Sequence, residues 1–183
     1  MKQILFRGAA TALVTPMQPD GSLDLETLSR LTEWQIQSNI SALVPCGTTG
    51  EAATLTDEER FTVIQTVAKT AAGRVPVIAG AGCNDTARAE QNCLAAAAAG
   101  ADALLLVTPY YNKCTPKGLQ SHFARLASAT PLPVILYNVP SRTGVTIDME
   151  SRRKLSKVDN IIGLKEASSD FSLIHQHLLE LGD

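Results

Sequence analysis

The stretch that decides the fold runs from residue 103 to residue 137. It opens with the apolar run ALLLV (103–107), continues through a helical pattern over Pro116–Ala129, and closes with the apolar run VILY (134–137). Two short apolar runs joined by an amphipathic helix predict a strand–helix–strand unit with parallel strands. Because both runs are apolar throughout rather than alternating, we expect these strands to be buried on both faces.

The same rhythm of strand and helix extends over the whole chain, about six times. The other predicted strands are Ala9–Val14, Ala42–Cys46, Val75–Ala79 and Ile161–Lys165. The other predicted helices are Asp24–Gln37, Asp57–Ala72 with a capping box from Thr56 to Glu59, Asp85–Ala99, Ser168–Leu181 and a shorter one near Ile147–Ser156. Gly73 and Gly100 follow helices, where a left-handed C-cap favours glycine.

This alternation leaves two α/β architectures, an open doubly wound sheet or a (β/α)8 barrel. No GxGxxG motif follows the first strand, so a dinucleotide-binding fold lacks its main signature. Polar residues instead follow several different strands, from Thr15-Pro16 to Lys165, and a barrel assembles its site from successive βα loops in this way. We therefore predict a (β/α)8 TIM barrel with about six βα units.

Composition excludes several classes of function. A net charge of −2 with scattered basic residues gives no sign of nucleic-acid binding, and no apolar run reaches the length of a membrane span. The apolar N-terminal stretch is too short for a signal peptide, so we expect a cytoplasmic protein. The four cysteines have no paired spacing and the three histidines no clustered spacing, which indicates free thiols and no metal site.

Lys165 is the leading candidate for a catalytic residue. It closes the apolar run Ile161–Leu164, at the predicted C-terminal end of a buried strand. Burial there would disfavour the ammonium form and lower the pKa of the amine, and a neutral amine can attack a carbonyl to form a Schiff base. A solvated or ion-paired lysine is the alternative.

Three other segments carry residues that suit a 2-oxo acid. The threonines of GTTGE (47–51) could bind a carboxylate or a phosphate, or could cap backbone groups in a tight turn. Tyr137 ends the fifth strand, beside Lys165 if consecutive strands are neighbours, and a phenol there could relay protons. Of the pair Tyr110-Tyr111, one residue is expected to pack. Arg142 could clamp a carboxylate, or be a solvated loop arginine.

These motifs, together with YNVPSRTG (137–144) and GLKEAS (163–168), resemble the dihydrodipicolinate synthase family of class I pyruvate aldolases. The resemblance implies a (β/α)8 barrel that condenses pyruvate with L-aspartate-4-semialdehyde to give 4-hydroxy-tetrahydrodipicolinate in lysine biosynthesis, without a metal or organic cofactor. Small-molecule substrates and a homo-oligomer, a dimer or a dimer of dimers, are implied as partners. Thr48 and the loop of residues 141–144 favour this activity over sialic-acid lysis.

The resemblance also implies a role for each site residue. Lys165 would form the imine and Tyr137 would move protons to and from it. Thr48 would link Tyr137 to a second phenol, Tyr111, which reaches across a dimer interface. Thr49, with Gly47 beside it, would bind the pyruvate carboxylate, and Arg142 would receive the carboxylate of the semialdehyde.

Feedback inhibition by lysine is expected to be weak or absent. Asn84 and Tyr110 match the lysine site of the family, but Ala52, Asp57, Arg60 and Arg88 stand where lysine-sensitive members carry other side chains. Arg88 in particular would place a cation where a cationic ligand needs an acid.

The chain ends after the sixth βα unit, whereas such barrels generally need about 250 residues. We therefore expect one barrel domain over residues 1–183, incomplete at its C-terminus. A shortened sequence of an ordinary synthase, a natural short form and a non-catalytic binding protein are the three explanations. A related aldolase acting on a sugar acid such as N-acetylneuraminate is the other enzymatic reading.

Overall fold

The computed structural model describes residues 4–182 as six βα units with parallel strands. The strands are β1 Ala10–Ala12, β2 Ala42–Val44, β3 Ile78–Gly80, β4 Ala103–Val107, β5 Val134–Asn138 and β6 Ile161–Glu166. The helices are α1 Leu25–Gln37, α2 Asp57–Ala71, α3 Thr86–Ala98, α4 Pro116–Ser128, α5 Pro140–Thr143, α6 Met149–Leu155 and α7 Phe171–Leu181. All six predicted strands and all six predicted helices are confirmed, with boundaries shifted by a few residues.

Local sequence explains where the helices begin. The capping box predicted for α2 is present, because the Thr56 hydroxyl accepts from the Glu59 N–H while the Glu59 carboxylate accepts from the Thr56 N–H. The other N-caps are simpler, because only the side chain of the capping residue accepts from a backbone N–H of the helix. These residues are Asp24 of α1, Thr115 of α4, Asp148 of α6 and Asp170 of α7. Gly73 and Gly100 adopt positive φ after α2 and α3, as predicted.

Strand β3 begins three residues later than predicted, at Ile78 rather than Val75. Pro76 lies inside the predicted strand and has no N–H to donate to a neighbouring strand. The N–H of Val77 donates to the Asp102 side chain, at 2.8 Å, instead of to a strand carbonyl. The regular ladder therefore starts only after these two residues.

The chain forms two compact units. The first unit consists of residues 4–81 and 94–105. Within it β1 pairs with β2 and β3 pairs with β4, both in parallel, and Leu43 bridges to Val77. Its core is aliphatic and includes Leu28, Leu43 and Ile64, each at most 1% exposed.

The second unit consists of residues 82–93 and 106–182. Its strands β5 and β6 pair in parallel, and the N–H of Thr108, just after β4, donates to the Tyr137 carbonyl. Phe123 and Leu126 of α4 and Ile147 are fully buried in this unit. The C-terminal ends of β5 and β6 therefore share one edge, which positions the residues that follow them.

Expected burial is confirmed for some strands and wrong for others. Strands β2 and β3 are buried throughout, and β4 is buried except at Val107. β1 is at least partly exposed at every position, and β6 alternates between more and less exposed residues. Between residues 4 and 182, every helix is too short or too polar to traverse a lipid bilayer.

Candidate active site

Tyr137 and Lys165 lie side by side on neighbouring strands. The register of β5 and β6 pairs Tyr137 with Lys165, and the Lys165 Nζ lies 4.3 Å from the centroid of the Tyr137 ring. An ammonium over an aromatic face is attracted by the negative face of the ring. The predicted adjacency of these two residues is confirmed, and it places an amine next to a phenol at one edge of the sheet.

The predicted burial of Lys165 is wrong. The residue is exposed, as is Gly163 two positions earlier on the same face of β6. β6 is the last strand of its sheet, so within residues 4–182 no further strand pairs with its outer edge. The chemical case for the Lys165 amine therefore depends on its neighbour Tyr137, which is only 8% exposed, rather than on a buried environment.

The segment GTTGE (47–51) forms a series of tight turns directly after β2. The N–H of Gly50 donates to the Gly47 carbonyl and the N–H of Glu51 to the Thr48 carbonyl, both at 3.1 Å. Thr48 and Thr49 are exposed, and neither hydroxyl bonds to another group in the described part of the chain. The alternative in which these threonines cap backbone groups is therefore wrong, and both hydroxyls are available to a ligand.

Thr15 and Gly80, neither of them a predicted site residue, hold this turn in place. The Thr15 hydroxyl is buried and donates to the Gly50 carbonyl at 2.7 Å. A Cβ on Gly80 would lie 1.9 Å from the Cys46 carbonyl oxygen, so the end of β3 approaches the start of the turn as only glycine allows. The position of Thr15 directly after β1 was a sequence signal for its contact with Gly50. Nothing in the sequence indicated the close approach of Gly80 to Cys46.

Tyr110 and Tyr111 have different environments, as predicted. Tyr110 is half-buried, with its hydroxyl 4.0 Å from the Cys83 sulfur. Tyr111 has a left-handed backbone with φ of 73°, and its side chain is 91% exposed. It has no hydrogen bond or ring contact with another residue between 4 and 182, so the structure does not bring Tyr111 to Tyr137 or Lys165 within one chain.

Arg142 belongs to a helical turn rather than to a loop. Pro140–Thr143 form α5, which the sequence analysis missed, with Pro140 at its first position and Gly144 at its left-handed end. The Arg142 side chain is exposed and pairs with no carboxylate in the described residues. Arg142 thus presents an unpaired guanidinium after β5, available to an anionic ligand.

None of the four cysteine thiols is paired, and two of them are buried. All four cysteines are free, as predicted, and burial raises the pKa of the Cys46 and Cys93 thiols to about 12. In the part of the chain that the structure describes, no three His, Cys, Asp or Glu side chains gather closely enough to hold a metal ion.

Arg60, one of the residues relevant to lysine feedback, is buried. It is 9% exposed, and its guanidinium donates to the Ala52 carbonyl at 2.8 Å and to the Gly80 carbonyl at 3.4 Å. Arg60 therefore supports the chain around the turn after β2 through its backbone contacts. Weak or absent inhibition by lysine stays a prediction.

Curated proteins of known name are similar to this chain over most of its length. A curated relative named 4-hydroxy-tetrahydrodipicolinate synthase, from Exiguobacterium sibiricum, is 51% identical over 179 residues, which are 98% of this chain and 61% of the relative. One of the same name from Sphingopyxis alaskensis is 47% identical over 173 residues, which are 94% of this chain and 59% of the relative. The chain thus spans about 60% of the length of these curated relatives.

Solved structures support the same relationship. The crystal structure of the chloride-inhibited dihydrodipicolinate synthase from Acinetobacter baumannii, complexed with pyruvate, matches with a TM-score of 0.93 and 44% identity, over 96% of this chain and 60% of that one. The Aquifex aeolicus dihydrodipicolinate synthase matches with a TM-score of 0.93 and 41% identity, over 97% of this chain and 61% of that one. The predicted fold class, that of the (β/α)8 barrels, is confirmed.

The sequence profile of the dihydrodipicolinate synthetase family matches residues 5–183, nearly the whole chain. Both Tyr137 and Lys165, which lie on neighbouring strands, fall within this matched range. The chain belongs to the dihydrodipicolinate synthetase family.

Proposed function

We propose that this chain carries the imine-forming site of a 4-hydroxy-tetrahydrodipicolinate synthase, which condenses pyruvate with L-aspartate-4-semialdehyde. The observation that carries the proposal is the Lys165 amine 4.3 Å from the ring centroid of Tyr137, at the C-terminal ends of two parallel strands. Active sites of (β/α)8 barrels lie at this end of the strands. The shared name of the relatives gives the product of the proposed reaction, and the resemblance of the motifs implies its two substrates.

The first half of the proposed reaction uses the amine and the phenol. The Lys165 nitrogen attacks the keto carbon of pyruvate, and the resulting carbinolamine loses water to give a protonated imine. Tyr137 donates the proton that leaves with the water. The hydroxyl of Thr49 and the backbone N–H groups near Gly47 hold the pyruvate carboxylate, while Thr48 connects Tyr137 to Tyr111 of a second subunit.

The second half forms the new carbon–carbon bond. The Tyr137 phenolate takes a proton from the pyruvate methyl group, which turns the imine into an enamine, and the enamine carbon attacks the aldehyde of the semialdehyde. The aldehyde oxygen takes the proton back from Tyr137, and the carboxylate of this second substrate pairs with the guanidinium of Arg142. The amino group of the semialdehyde then attacks the regenerated imine carbon, which closes the ring of the product and releases the Lys165 amine. The imine nitrogen stores the electron pair between these steps, so no metal or organic cofactor takes part.

We also propose that the protein is cytoplasmic, acts in lysine and diaminopimelate biosynthesis, and assembles as a dimer or a dimer of dimers from single barrel domains. The exposed Tyr111 supports the oligomer, because a phenol that is 91% exposed with a strained backbone is available to a second subunit. One structural relative is described as a monomeric variant, so the oligomeric state of this chain needs its own measurement by ultracentrifugation.

Product formation tests the function. The chain is mixed with pyruvate and either L-aspartate-4-semialdehyde or N-acetylmannosamine, and pyruvate consumption and product mass are followed. We expect turnover with the semialdehyde, and none in the Lys165→Arg variant, whose guanidinium cannot form the imine. Turnover with the amino sugar alone would contradict the synthase and favour a sialic-acid lyase. Folded protein without turnover on either would contradict an enzymatic function for this chain.

A further inference from the structure

A closed ring of hydrogen bonds lies behind Tyr137 and Lys165. Successive residues of a strand point to opposite faces of the sheet, so Asn138 and Glu166 point away from the face on which Tyr137 and Lys165 meet. The register pairs Asn138 with Glu166, immediately after the Tyr137–Lys165 pair. The two pairs are therefore adjacent along the strands and on opposite faces of the sheet.

Three groups donate hydrogen bonds to the Glu166 carboxylate. The Asn138 side-chain amide donates to both of its oxygens, at 2.8 and 3.1 Å. The Arg152 Nη2 donates to Oε2 at 2.5 Å, and the Ser168 backbone N–H donates to Oε1 at 2.8 Å. Glu166 thus connects β5, α6 and the chain that follows β6.

The backbone of Ile147 closes the ring. The Arg152 Nε donates to the Ile147 carbonyl at 2.8 Å, and the Ile147 N–H donates to the Asn138 side-chain oxygen at 2.9 Å. The path from Asn138 through Glu166, Arg152 and Ile147 therefore returns to Asn138. A ring of this kind fixes the position of each member relative to the others more firmly than separate pairs do.

The ring is buried and charged. Asn138 is fully buried, Arg152 is 3% exposed and the Glu166 side chain is 14% exposed. Burial raises the pKa of Glu166, but the hydrogen bonds from Ser168 and Asn138 and the charge of Arg152 outweigh this, and the pKa lies below its usual 4.5. The carboxylate is therefore ionised at neutral pH, where its bonds to Arg152 and Asn138 are charge-assisted and strong.

We propose that Glu166, together with Arg152 and Asn138, positions Lys165 against Tyr137. Each of the two reactive residues directly precedes a member of the ring, so the ring fixes the ends of β5 and β6 relative to one another. A displacement of either strand end moves the amine away from the phenol, and errors of about 1 Å in such geometry can cost roughly a hundredfold in rate. The catalytic meaning of this positioning rests on the proposed function above.

The chain offers a matched control for this ring. Glu180 of α7 pairs with Arg153, the residue next to Arg152, through two hydrogen bonds of 2.6 and 2.9 Å. That pair is exposed, with 47% and 33% of the side chains accessible. Glu166→Gln and Glu180→Gln therefore remove the same charge from the same kind of pair, but only the first change affects the ring.

Nuclear magnetic resonance measures the positioning without any substrate. Lysine labelled with carbon-13 at Cε is incorporated into the full chain, and the Lys165 signal is assigned from its loss in Lys165→Arg. We expect the ring current of Tyr137 to shift this signal upfield in the wild-type protein. The shift should be lost in Glu166→Gln and kept in Glu180→Gln. A Glu166→Gln protein that folds and keeps the wild-type shift would overturn the proposal.

Borohydride trapping of the pyruvate imine supplies the catalytic measurement. In Glu166→Gln the maximal trapping rate should fall at least about tenfold, with a smaller change in the pyruvate concentration that gives half the maximal rate. A fall equally large in Glu180→Gln would overturn the specific role of Glu166. Absence of trapping in the wild-type protein would contradict the proposed function alone, because the ring-current shift needs no pyruvate.

If Glu166→Gln does not form a folded protein, as judged by cooperative unfolding, Arg152→Lys is the second variant that tests the proposal. Arg152→Lys keeps a positive charge near Glu166, but a single ammonium cannot bond the Ile147 carbonyl and the carboxylate in the fixed geometry of a guanidinium. We expect a folded protein with a reduced ring-current shift and slower trapping. Wild-type values of both quantities in folded Arg152→Lys would overturn the proposal.

Discussion

At the scale of single residues, Tyr137 offers two separable groups to Lys165, an aromatic face and a phenolic hydroxyl. Tyr137→Phe keeps the ring, which is mostly buried, and removes only the hydroxyl. If the hydroxyl moves protons, the rate of imine formation with pyruvate should fall about a hundredfold, while the ring-current shift on Lys165 persists.

The rate of borohydride trapping checks this expectation, and Tyr110→Phe is the matched control. The Tyr110 hydroxyl lies 4.0 Å from the Cys83 sulfur and has no part in the proposed chemistry, so trapping should continue at the wild-type rate. Wild-type trapping in Tyr137→Phe would exclude a proton-transfer role for that phenol.

His122 makes the stability of the protein depend on pH. It is 5% exposed, its Nδ1 lies 2.8 Å from the Thr86 hydroxyl, and burial lowers its pKa to about 4 from an ordinary 6.5. Between pH 6.5 and pH 4 the unfolded chain binds a proton at this residue and the folded protein does not. The contribution of His122 to stability is therefore full above pH 6.5 and is lost as the pH falls toward 4.

We expect the free energy of unfolding to fall by about 2 kcal/mol between pH 7 and pH 5 because of this one residue. Denaturant unfolding of the wild-type protein and of His122→Gln at both pH values isolates the effect, since the remaining groups titrate alike in both proteins. An equal pH dependence in the two proteins would show that His122 is not buried in its neutral form.

At the scale of elements, the end of β3 and the turn after β2 depend on one glycine. In Gly80→Ala the new Cβ would lie 1.9 Å from the Cys46 carbonyl oxygen, so the backbone must move. We expect a loss of about 3 kcal/mol of stability, because a rigid backbone atom rather than a flexible side chain obstructs the methyl group.

Gly163→Ala is the control for this change, since a Cβ on Gly163 of β6 meets no atom within 4 Å. That substitution should alter stability by less than about 1 kcal/mol. Equal stability of the two variants, measured by denaturant unfolding, would contradict the close approach of β3 to the turn.

Some elements could be predicted from the sequence and others could not. Helix α2 was predictable, because Thr56 and Glu59 specify its start through local contacts. The short helix α5 was not, because four residues give no periodicity and only Pro140 and Gly144 mark its ends. The exposure of Lys165 could not be predicted either. The burial of a strand depends on which elements pack against it, and an apolar run does not specify those elements.

At the scale of the whole molecule, alternating strands and helices were enough to predict parallel βα units, and the motifs were enough to predict the family. The pairing of Tyr137 with Lys165 followed from the order of the strands. The ring of Asn138, Glu166 and Arg152 could not be predicted, because its members come from β5, β6 and α6 and meet only through tertiary packing. Thr48, Thr49 and Arg142 are exposed as ligand-binding residues should be, but exposure alone does not identify a ligand.

Borohydride reduction in the presence of pyruvate, followed by peptide mapping, identifies the lysine that forms the imine. We expect a reduced pyruvyl adduct on the peptide that contains Lys165, with the other lysines as internal controls and with no adduct in Lys165→Arg. Folded wild-type protein without an adduct, or with adducts spread equally over several lysines, would contradict the claim that Lys165 is the imine-forming residue.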